Sequence, residues 1–318
     1  MKRTKILICG ATGFIGRNTV EYFSESDDYE VIAVYNVRPP FECKNVRWVQ
    51  ANLTDPDAVK RILGDIDVVV QAAATTSGSK DIVNRPHIHV TDNALMNSII
   101  FRAAHEVGVK HILFFSCTVM YQSSKKLLAE ADFDANIDIH PRYFGVGWTK
   151  VYIEKMCEFY SRLGETKYTA IRHSNIYGPH DKYDLDRSHV FGATISKVMQ
   201  AKDEIVVWGS GEEARDLLYI TDLMFFLDKA IKNQKEPFSL FNVGYGKAIK
   251  IKDLVALIVK ESKKSLSIRH DLSQPTIPTS LALNCGKAEQ ELGWVKSTTL
   301  EDGIRKTLKW YKANITKS

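Results

Sequence analysis

The feature that most constrains the fold is a glycine-rich turn close to the amino terminus. The segment GATGFIG, residues 10–16, directly follows an apolar run at residues 5–9 and opens an amphipathic stretch at residues 15–23. In such a strand–turn–helix unit the glycines permit a tight turn, close approach of the backbone to a pyrophosphate, and close helix–sheet packing. The helix amino terminus then offers N–H donors to the anion. We predict that a dinucleotide cofactor contacts Gly10, Thr12, Gly13, Phe14, Ile15 and Gly16.

Short apolar runs alternate with helical patterns through the first half of the chain. The periodicity predicts further strands at residues 31–35, 46–50, 67–71, 110–115 and 168–172, and helices at 58–63, 93–107 and 149–163. Near-continuous apolar strands separated by helices are typical of a parallel sheet covered on both faces. We therefore expect an α/β fold with a doubly wound parallel-sheet Rossmann domain over residues 1–172.

The pattern changes after about residue 173. Loops rich in glycine, proline and aspartate surround predicted elements at residues 204–208, 223–232, 238–243, 251–260 and 300–312. We expect a segment near 217–243 to return to the first sheet and the rest of 173–318 to form a smaller α/β lobe that binds the substrate. No linker separates the lobes, so we expect them to pack tightly.

Composition excludes several classes of protein. Charged residues make up 25% and hydrophobic residues 44% of the chain, which is typical of a folded globular protein. No apolar run approaches the roughly 20 residues of a membrane helix. The five cysteines show no metal-ligand spacing, so we expect no metal site and a cytoplasmic location. The net charge of +5 suits an anionic small molecule but is too dispersed to indicate nucleic acid.

The end of the second strand bears on the choice of cofactor. No acidic residue stands there for a ribose 2′-hydroxyl, whereas Arg38 could pair with a 2′-phosphate, so NADP(H) is favoured and NAD(H) is the alternative. A merely solvated Arg38 is the competing interpretation. After the third and fourth strands we expect short segments to flank the adenine and leave room for the cofactor, unless they serve packing alone: Asn52, Leu53, Ala72, Ala73 and Ala74.

Ordered motifs in the second half point to a known family. They are NIYGPHD at residues 175–181, SHV at 188–190, VWGSG at 207–211 and the pair Arg215-Asp216. With the glycine turn, they make nearly the whole chain resemble the extended short-chain dehydrogenases/reductases (the NAD-dependent epimerase/dehydratase family), and among these the GDP-L-fucose synthase family. Members of that family are NADPH-dependent 3,5-epimerases and 4-reductases of GDP-4-keto-6-deoxymannose. The resemblance thus implies a nucleotide-diphosphate sugar as substrate, with a GDP-sugar favoured.

The resemblance also implies roles for individual residues. His189 matches the histidine that donates a proton during epimerisation, and Asn175 is expected to contact both cofactor and substrate. Three further positions are expected to hold the nucleotide sugar: Lys197, Trp208 and Arg215. Core packing is the alternative for Trp208.

Homodimers are common in the family. By analogy, the helix carrying Lys150 and the helix beginning near Asn93 would form the contact. Leu95, Ile99 and Met156 are the apolar candidates for this contact, although they could equally face the sheet.

The chain departs from the family at its catalytic pair. The family places a tyrosine four residues before a lysine, one helical turn apart, and Lys150 matches the lysine. The residue four before it is Val146, while Tyr143 lies seven before it, about 10 Å away on a helix. A rearrangement through Gly145 and Gly147 would bring Tyr143 closer.

The serine partner is displaced as well. Counting back four residues from Tyr121 gives Cys117, and one inserted residue would restore Ser116 and place Thr118 where the fucose synthases have a catalytic cysteine. We expect Ser116 and Thr118 to face the site and Cys117 to be buried, unless all three only end a strand. At residues 274–279 the family's charged segment is also missing.

These departures leave several interpretations open. In the leading one, Lys150 holds the nicotinamide ribose, Ser116 or Thr118 binds the sugar oxygen, and Tyr143, a water or Thr118 relays the proton. Related alternatives are an epimerase, dehydratase or dehydrogenase of another nucleotide sugar. A different one is a cofactor-binding protein that has lost its chemistry through Val146, which a Tyr143 pointing to solvent would favour. Val146 could also be an engineered substitution.

Overall fold

The structure is a computed structural model, and it describes residues 2–75, 85–185, 188–274 and 279–315. The strands are β1 Thr4–Cys9, β2 Tyr29–Tyr35, β3 Val46–Gln50, β4 Val68–Gln71, β5 His111–Phe115, β6 Leu127–Leu128, β7 Lys167–His173, β8 Asn175–Tyr177, β9 Glu204–Trp208, β10 Ala214–Tyr219, β11 Phe238–Val243, β12 Ala248–Lys250, β13 Ser267–Asp271 and β14 Ala282–Leu283. The α-helices are α1 Phe14–Ser24, α2 Pro56–Leu63, α3 Thr91–Val107, α4 Phe144–Tyr160, α5 Val190–Gln200, α6 Ile220–Asn233, α7 Ile251–Ser262, α8 Gly286–Leu292 and α9 Leu300–Asn314.

A seven-stranded parallel sheet forms the centre of the larger lobe. Its order is β11-β7-β5-β4-β1-β2-β3, so the late strand β11 joins the sheet beside β7. Successive residues of β1 point to opposite faces: Ile6 and Ile8 join a core with α1 and α6, while Leu7 and Cys9 join a core with α2, α3 and α4. Helices therefore cover both faces, and the predicted doubly wound α/β fold is confirmed.

The helix that carries Lys150 begins earlier than predicted. It starts at Phe144 rather than at residue 149, and its helical conformation continues through Gly145 and Gly147. These glycines allow close packing, because a Cβ on Gly145 would lie 2.9 Å from Val90 Cγ2 and one on Gly147 would lie 3.0 Å from Ile139 Cδ1. The alternative of a rearrangement around the two glycines is therefore absent, and the segment before Lys150 is regular helix.

The smaller lobe is built on short sheets, β12-β10-β8 and β13-β9. Buried Asp216 on β10 connects its loops. This carboxylate accepts hydrogen bonds from the backbone N–H groups of Tyr245 (2.7 Å), Gly246 (3.0 Å) and Leu283 (3.0 Å). Among the described helices, none is both long and apolar enough to span a membrane.

Candidate active site

A crevice opens where the connections of the sheet diverge. Strands β1 and β4 are neighbours, with Cys9 beside Gln71, but the chain continues from β1 toward one edge of the sheet and from β4 toward the other. In open parallel sheets ligands bind at this switch point, beyond the carboxyl ends of the strands. The predicted cofactor and catalytic residues lie along these strand ends and on the smaller lobe beyond them.

The glycine turn has the backbone geometry of a phosphate cradle. Gly10 has a φ of +71°, and a Cβ there would lie 2.6 Å from Ala73 Cα, while a Cβ on Gly16 would lie 2.1 Å from the Gly10 oxygen. Gly13, directly before α1, has a φ of −82° and meets no contact closer than 3.2 Å. Because no side chain caps the first N–H groups of α1, these donors remain available to an anion. The half-buried Thr12, Phe14 and Ile15 complete the turn.

A cleft of about 410 Å³ adjoins this turn. Arg38 donates from Nη1 to the carbonyl oxygen of Thr12 at 2.8 Å, and Arg17 stacks on Phe41 with its guanidinium carbon 4.2 Å from the ring centre. Two guanidinium groups thus stand beside the glycine turn in this cleft. The cleft is lined by Thr12, Gly13, Arg17, Arg38, Pro39, Phe41, His180, Asp181, Trp310, Asn314 and Ile315.

The residues predicted to flank the adenine differ in exposure. Asn52 is exposed, and its Oδ1 accepts hydrogen bonds from Thr54, whereas Leu53 is buried in the core beneath α2. The side chain of Leu53 therefore does not reach the crevice, and only its backbone could contact a cofactor. Ala72 and Ala73 are half-buried and Ala74 is exposed, and Ala73 packs against Gly10.

Lys150 reaches into the crevice from α4. Its Nζ donates to the carbonyl oxygen of Phe115 at 2.7 Å, at the carboxyl end of β5, and lies 4.7 Å from the Phe114 ring centre. Burial lowers the pKa of this ammonium group. Val146, one turn earlier on the same helix, offers no proton. The four-residue spacing therefore brings an inert side chain next to Lys150.

Tyr143 occupies the residue just before α4, two turns from Lys150. The side chain is half-buried, and burial together with nearby Cys117 raises its pKa, although the charge of Arg215 acts in the opposite direction. Its ring packs against the core that contains Ile6 and Ile8, and its centre lies 5.6 Å from that of the His140 ring. Tyr143 is therefore partly shielded from solvent.

Ser116 was expected to face the crevice, but its side chain turns away from it. It is 1% exposed, and its hydroxyl donates to Glu154 Oε1 at 2.5 Å. Glu154 in turn forms a buried ion pair with Arg172 of β7, with contacts of 2.7 Å and 3.0 Å. The expectation of a buried Cys117 is not met, because Cys117 is half-buried just after β5. Thr118 is half-buried as well. An acceptor buried on α4 thus turns Ser116 inward, which sequence spacing did not indicate.

The predicted substrate residues lie on the smaller lobe. His189 directly precedes α5 and is exposed. Lys197 donates to the carbonyl oxygen of Val206 at 3.0 Å and stands 5.2 Å from the Trp208 ring centre. Trp208 is 50% exposed, so it is not a core residue.

The other two substrate residues lie deeper in the fold. Arg215 is half-buried and donates to the carbonyl oxygens of Ala214 and Thr279. Asn175 is half-buried as well and donates to the Asp216 carbonyl oxygen at 3.3 Å. Residues 275–278, within the segment that lacks the family's charges, lie outside the described residues.

The candidate dimer residues divide between surface and core. Leu95 is 47% exposed, whereas Ile99 and Met156 are half-buried against the core beneath α3 and α4. Tyr152 and Phe159 on α4 are exposed as well. In the described ranges no group of histidine, cysteine, aspartate and glutamate has the arrangement of a metal site.

Two features of the site escaped the sequence reasoning. One is the buried Glu154–Arg172 pair, since nothing in the pattern of α4 marks residue 154 as a partner of β7. The other is His173, the last residue of β7, which lies beside the crevice. Its place directly after a buried strand was a usable signal, because functional groups collect at the carboxyl ends of parallel strands.

Sequence and structure comparisons place the chain among known proteins. The NAD dependent epimerase/dehydratase family matches residues 6–244, more than half of the chain. The chain belongs to this family. It is therefore an enzyme of the NAD(P)-dependent type that modifies nucleotide sugars, as its sequence motifs predicted.

Individual relatives are more distant. GDP-L-fucose synthase of Escherichia coli is 27% identical, with 99% of this chain and 98% of that protein covered. The dTDP-4-dehydro-6-deoxy-D-allose reductase of a Streptomyces species is 25% identical over 96% of each. UDP-glucose 4-epimerase of Thermotoga maritima, solved with UDP-glucose, superposes with a TM-score of 0.87 at 23% identity, covering 98% of this chain and 100% of that one. At that identity the structural match supports the fold alone.

Proposed function

We propose that the protein is an NADP(H)-dependent epimerase/reductase of a GDP-4-keto-6-deoxy sugar. The observation that carries this proposal is the arrangement of one crevice. A dinucleotide turn lies at one end, Lys150 lies at its centre, and His189, Lys197 and Arg215 stand on the smaller lobe. Lysine and arginine are suited to a diphosphate, and arginine can bind it with two hydrogen bonds.

The division of labour follows from the fold. We assign dinucleotide binding to residues 1–172 with β11, and nucleotide-sugar binding mainly to residues 173–318. Arg38 and Arg17 at the cleft mouth favour the 2′-phosphate of NADP(H) over the free ribose of NAD(H). When bound, the cofactor would supply the hydride for the sugar carbon C4.

The chain's own residues would then orient the reactants. Lys150 would bind the nicotinamide ribose, and the exposed Trp208 with Lys197 would cover the nucleotide. His189 would exchange protons at the carbons next to the sugar ketone, because its imidazole suits acid–base chemistry near neutral pH. Tyr143 and Arg215 would contact the sugar, and Thr118 would line the same side of the crevice.

A proton-exchange activity without net reduction is the second candidate. It rests on two findings, namely that Val146 offers no proton and that the Ser116 hydroxyl donates to Glu154. The two hydroxyls on which the family's reductive step depends are therefore missing from the crevice. In that case His189 would still serve epimerisation while hydride transfer is slow.

One assay separates these candidates. The purified protein is incubated with NADPH and GDP-4-keto-6-deoxymannose in deuterated water, and nicotinamide oxidation and deuterium incorporation are followed together. A C4-reduced GDP-sugar establishes the reductase, while deuterium at C3 or C5 without NADPH oxidation establishes an epimerase. If neither occurs while dTDP- or UDP-4-keto sugars react, the choice of nucleotide is wrong.

We also propose that the protein is a homodimer. The exposed apolar side chains of Leu95, Tyr152 and Phe159 lie on α3 and α4, which pack side by side. The expected result is a dimer mass in light scattering and a monomer mass for the variant Tyr152→Glu. A monomeric wild type would contradict the proposal.

A further inference from the structure

His173 lies beside the crevice, although the family motifs give it no role. It ends β7, which pairs with β5 so that Ile171 lies opposite Phe115. The backbone N–H of Ser116 donates to the Ile171 oxygen at 2.9 Å, so the parallel alignment continues past the last paired residues. His173 therefore emerges next to Cys117, on the sheet edge where Lys150 also arrives.

The geometry of the ring fixes which nitrogen carries the hydrogen. His173 Nδ1 lies 2.7 Å from the carbonyl oxygen of Ser174. Since a carbonyl oxygen only accepts, Nδ1 must be the donor, and Nε2 of the neutral ring keeps its lone pair. This is the tautomer in which Nε2 can accept a proton from a ligand.

The same ring lies close to the lysine that would bind the cofactor. The rings of His173 and Phe115 meet edge to face with centres 5.9 Å apart, and the Phe115 carbonyl oxygen accepts the hydrogen bond from Lys150. His173 is half-buried, so part of the residue remains accessible. The backbone at this point is held by its neighbour Arg172, which is anchored to Glu154.

Its surroundings keep the imidazole neutral at pH 7. Burial, together with the nearby Lys150 from α4 and His189 from the loop before α5, lowers the pKa of His173 to about 4, although the hydrogen bond to the Ser174 oxygen acts in the opposite direction. A neutral histidine beside the cofactor lysine is the type of group that can accept a hydroxyl proton.

We propose that His173 Nε2 exchanges the proton of the sugar oxygen at C4, the task that the family gives to the tyrosine replaced here by Val146. This proposal rests on the proposed function. When C4 is reduced, Nε2 first takes up a proton from water, hydride then adds to the carbonyl carbon, the C=O π bond becomes a lone pair on oxygen, and the imidazolium N–H proton passes to that oxygen. In the reverse direction, neutral Nε2 takes the hydroxyl proton as hydride leaves C4 for the oxidised cofactor.

The test compares His173→Gln and His173→Ala with the wild type. Single-turnover hydride transfer is measured with NADPH and GDP-4-keto-6-deoxymannose, and with dTDP- and UDP-4-keto sugars. We expect a loss of roughly 10²- to 10⁴-fold for both variants, partial rescue of His173→Ala by added imidazole, and unchanged NADPH affinity. His111→Gln is the matched control, because His111 is a buried neutral histidine at the opposite end of the same sheet, 2.7 Å from Thr169 Oγ1.

Two further readouts separate proton transfer from a structural role. Wild-type reduction should slow as the pH rises from 5 to 8, because the imidazolium fraction falls, whereas the His173→Gln rate should be nearly independent of pH. In ¹⁵N NMR spectra, the His173 Nε2 resonance should shift when a GDP-sugar is added to the protein with oxidised cofactor, and Nδ1 should remain protonated.

The outcomes distinguish this proposal from the proposed function. Turnover of a dTDP- or UDP-sugar that is lost in His173→Gln overturns only the choice of GDP. Normal turnover by His173→Gln, with a large loss in Tyr143→Phe, overturns only the role of His173. A wild type that binds NADPH but transfers hydride to none of the sugars overturns both.

Discussion

The two ends of the crevice are built from different parts of the chain. At the cofactor end the backbone makes the site, and Gly10 and Gly16 are required because any Cβ would collide with a neighbouring main-chain atom. At the end where Lys150 arrives, side chains make the site, and Val146, Ser116 and Cys117 all differ from the family's arrangement. A site made by backbone geometry therefore tolerates few substitutions, whereas a site made by side chains can change its chemistry while the fold stays the same.

The largest effect is expected from breaking the Glu154–Arg172 ion pair, which lies beneath the end of the crevice where Lys150 arrives. Glu154→Leu would leave Arg172 charged and buried without its carboxylate, which should lower the free energy of unfolding by about 3–5 kcal/mol. The double variant Glu154→Leu with Arg172→Met should recover much of that loss, because it removes both charges. Urea denaturation measures all three proteins, and equal losses in the single and double variants would contradict this explanation.

Removal of the buried carboxylate of Asp181, in the cleft beside the glycine turn, should raise stability, whereas removal of the Glu154 carboxylate should lower it. Burial raises the pKa of Asp181 from 3.8 to about 7, and within the described residues its Oδ2 has no hydrogen-bond partner. The folded protein thus keeps this proton between pH 4 and 7 while the unfolded chain releases it, so stability falls as the pH rises through that window, by up to about 4 kcal/mol.

Removing that carboxylate tests the sign of the effect. Asp181→Asn should be more stable than the wild type at pH 8, and the difference should shrink as the pH falls toward 4. Denaturation curves at several pH values check this, with Asp27→Asn as the control at an exposed position. Stability curves that run parallel in pH would show that Asp181 does not titrate differently on folding.

Substitutions at two glycines of the turn should affect different properties, namely stability at Gly16 and dinucleotide affinity at Gly13. Gly16→Ala forces a Cβ to 2.1 Å from the Gly10 oxygen and should cost about 1–3 kcal/mol of stability. Gly13→Ala meets only a 3.2 Å contact, so it should fold nearly normally but bind the dinucleotide at least tenfold more weakly. Thermal denaturation and NADPH fluorescence measure the two effects, and a Gly13→Ala protein with full affinity would argue against the cradle.

The smallest change should come from Arg38. Its guanidinium is exposed and hydrogen-bonded to Thr12, so the expected loss for Arg38→Ala is about tenfold in NADPH affinity, with NADH affinity unchanged. The effect should decrease with added salt. Equal weakening of both cofactors would mean that Arg38 shapes the turn instead of reading the 2′-phosphate.

Sequence reasoning predicted the sheet well because its signals are local. Strand β3 and strand β11 were predicted with the observed bounds, since each is a short segment with recurring aromatic and aliphatic residues. The start of α4 was missed because two glycines argue against helix, and only the packing of Val90 and Ile139 explains them.

The side-chain directions near Lys150 depend on partners that are distant in the sequence. The direction of Ser116 is determined by Glu154, a residue 38 positions later in the chain. The environment of His173 depends on Lys150 and His189, which lie on other elements. No periodicity or spacing within one segment encodes such contacts. The position of the candidate site could therefore be predicted from the sequence, but the contacts between its side chains could not.

The wall of the cleft beside the glycine turn comes from two segments that are far apart in the sequence. Gly13 directly precedes α1, while Trp310 and Asn314 belong to α9, yet they line the same cleft. During synthesis the glycine turn therefore leaves the ribosome long before its opposite wall exists. Under the proposed function, a growing chain has half of a cofactor pocket, so tight binding requires α9 to have been synthesised and docked against the turn.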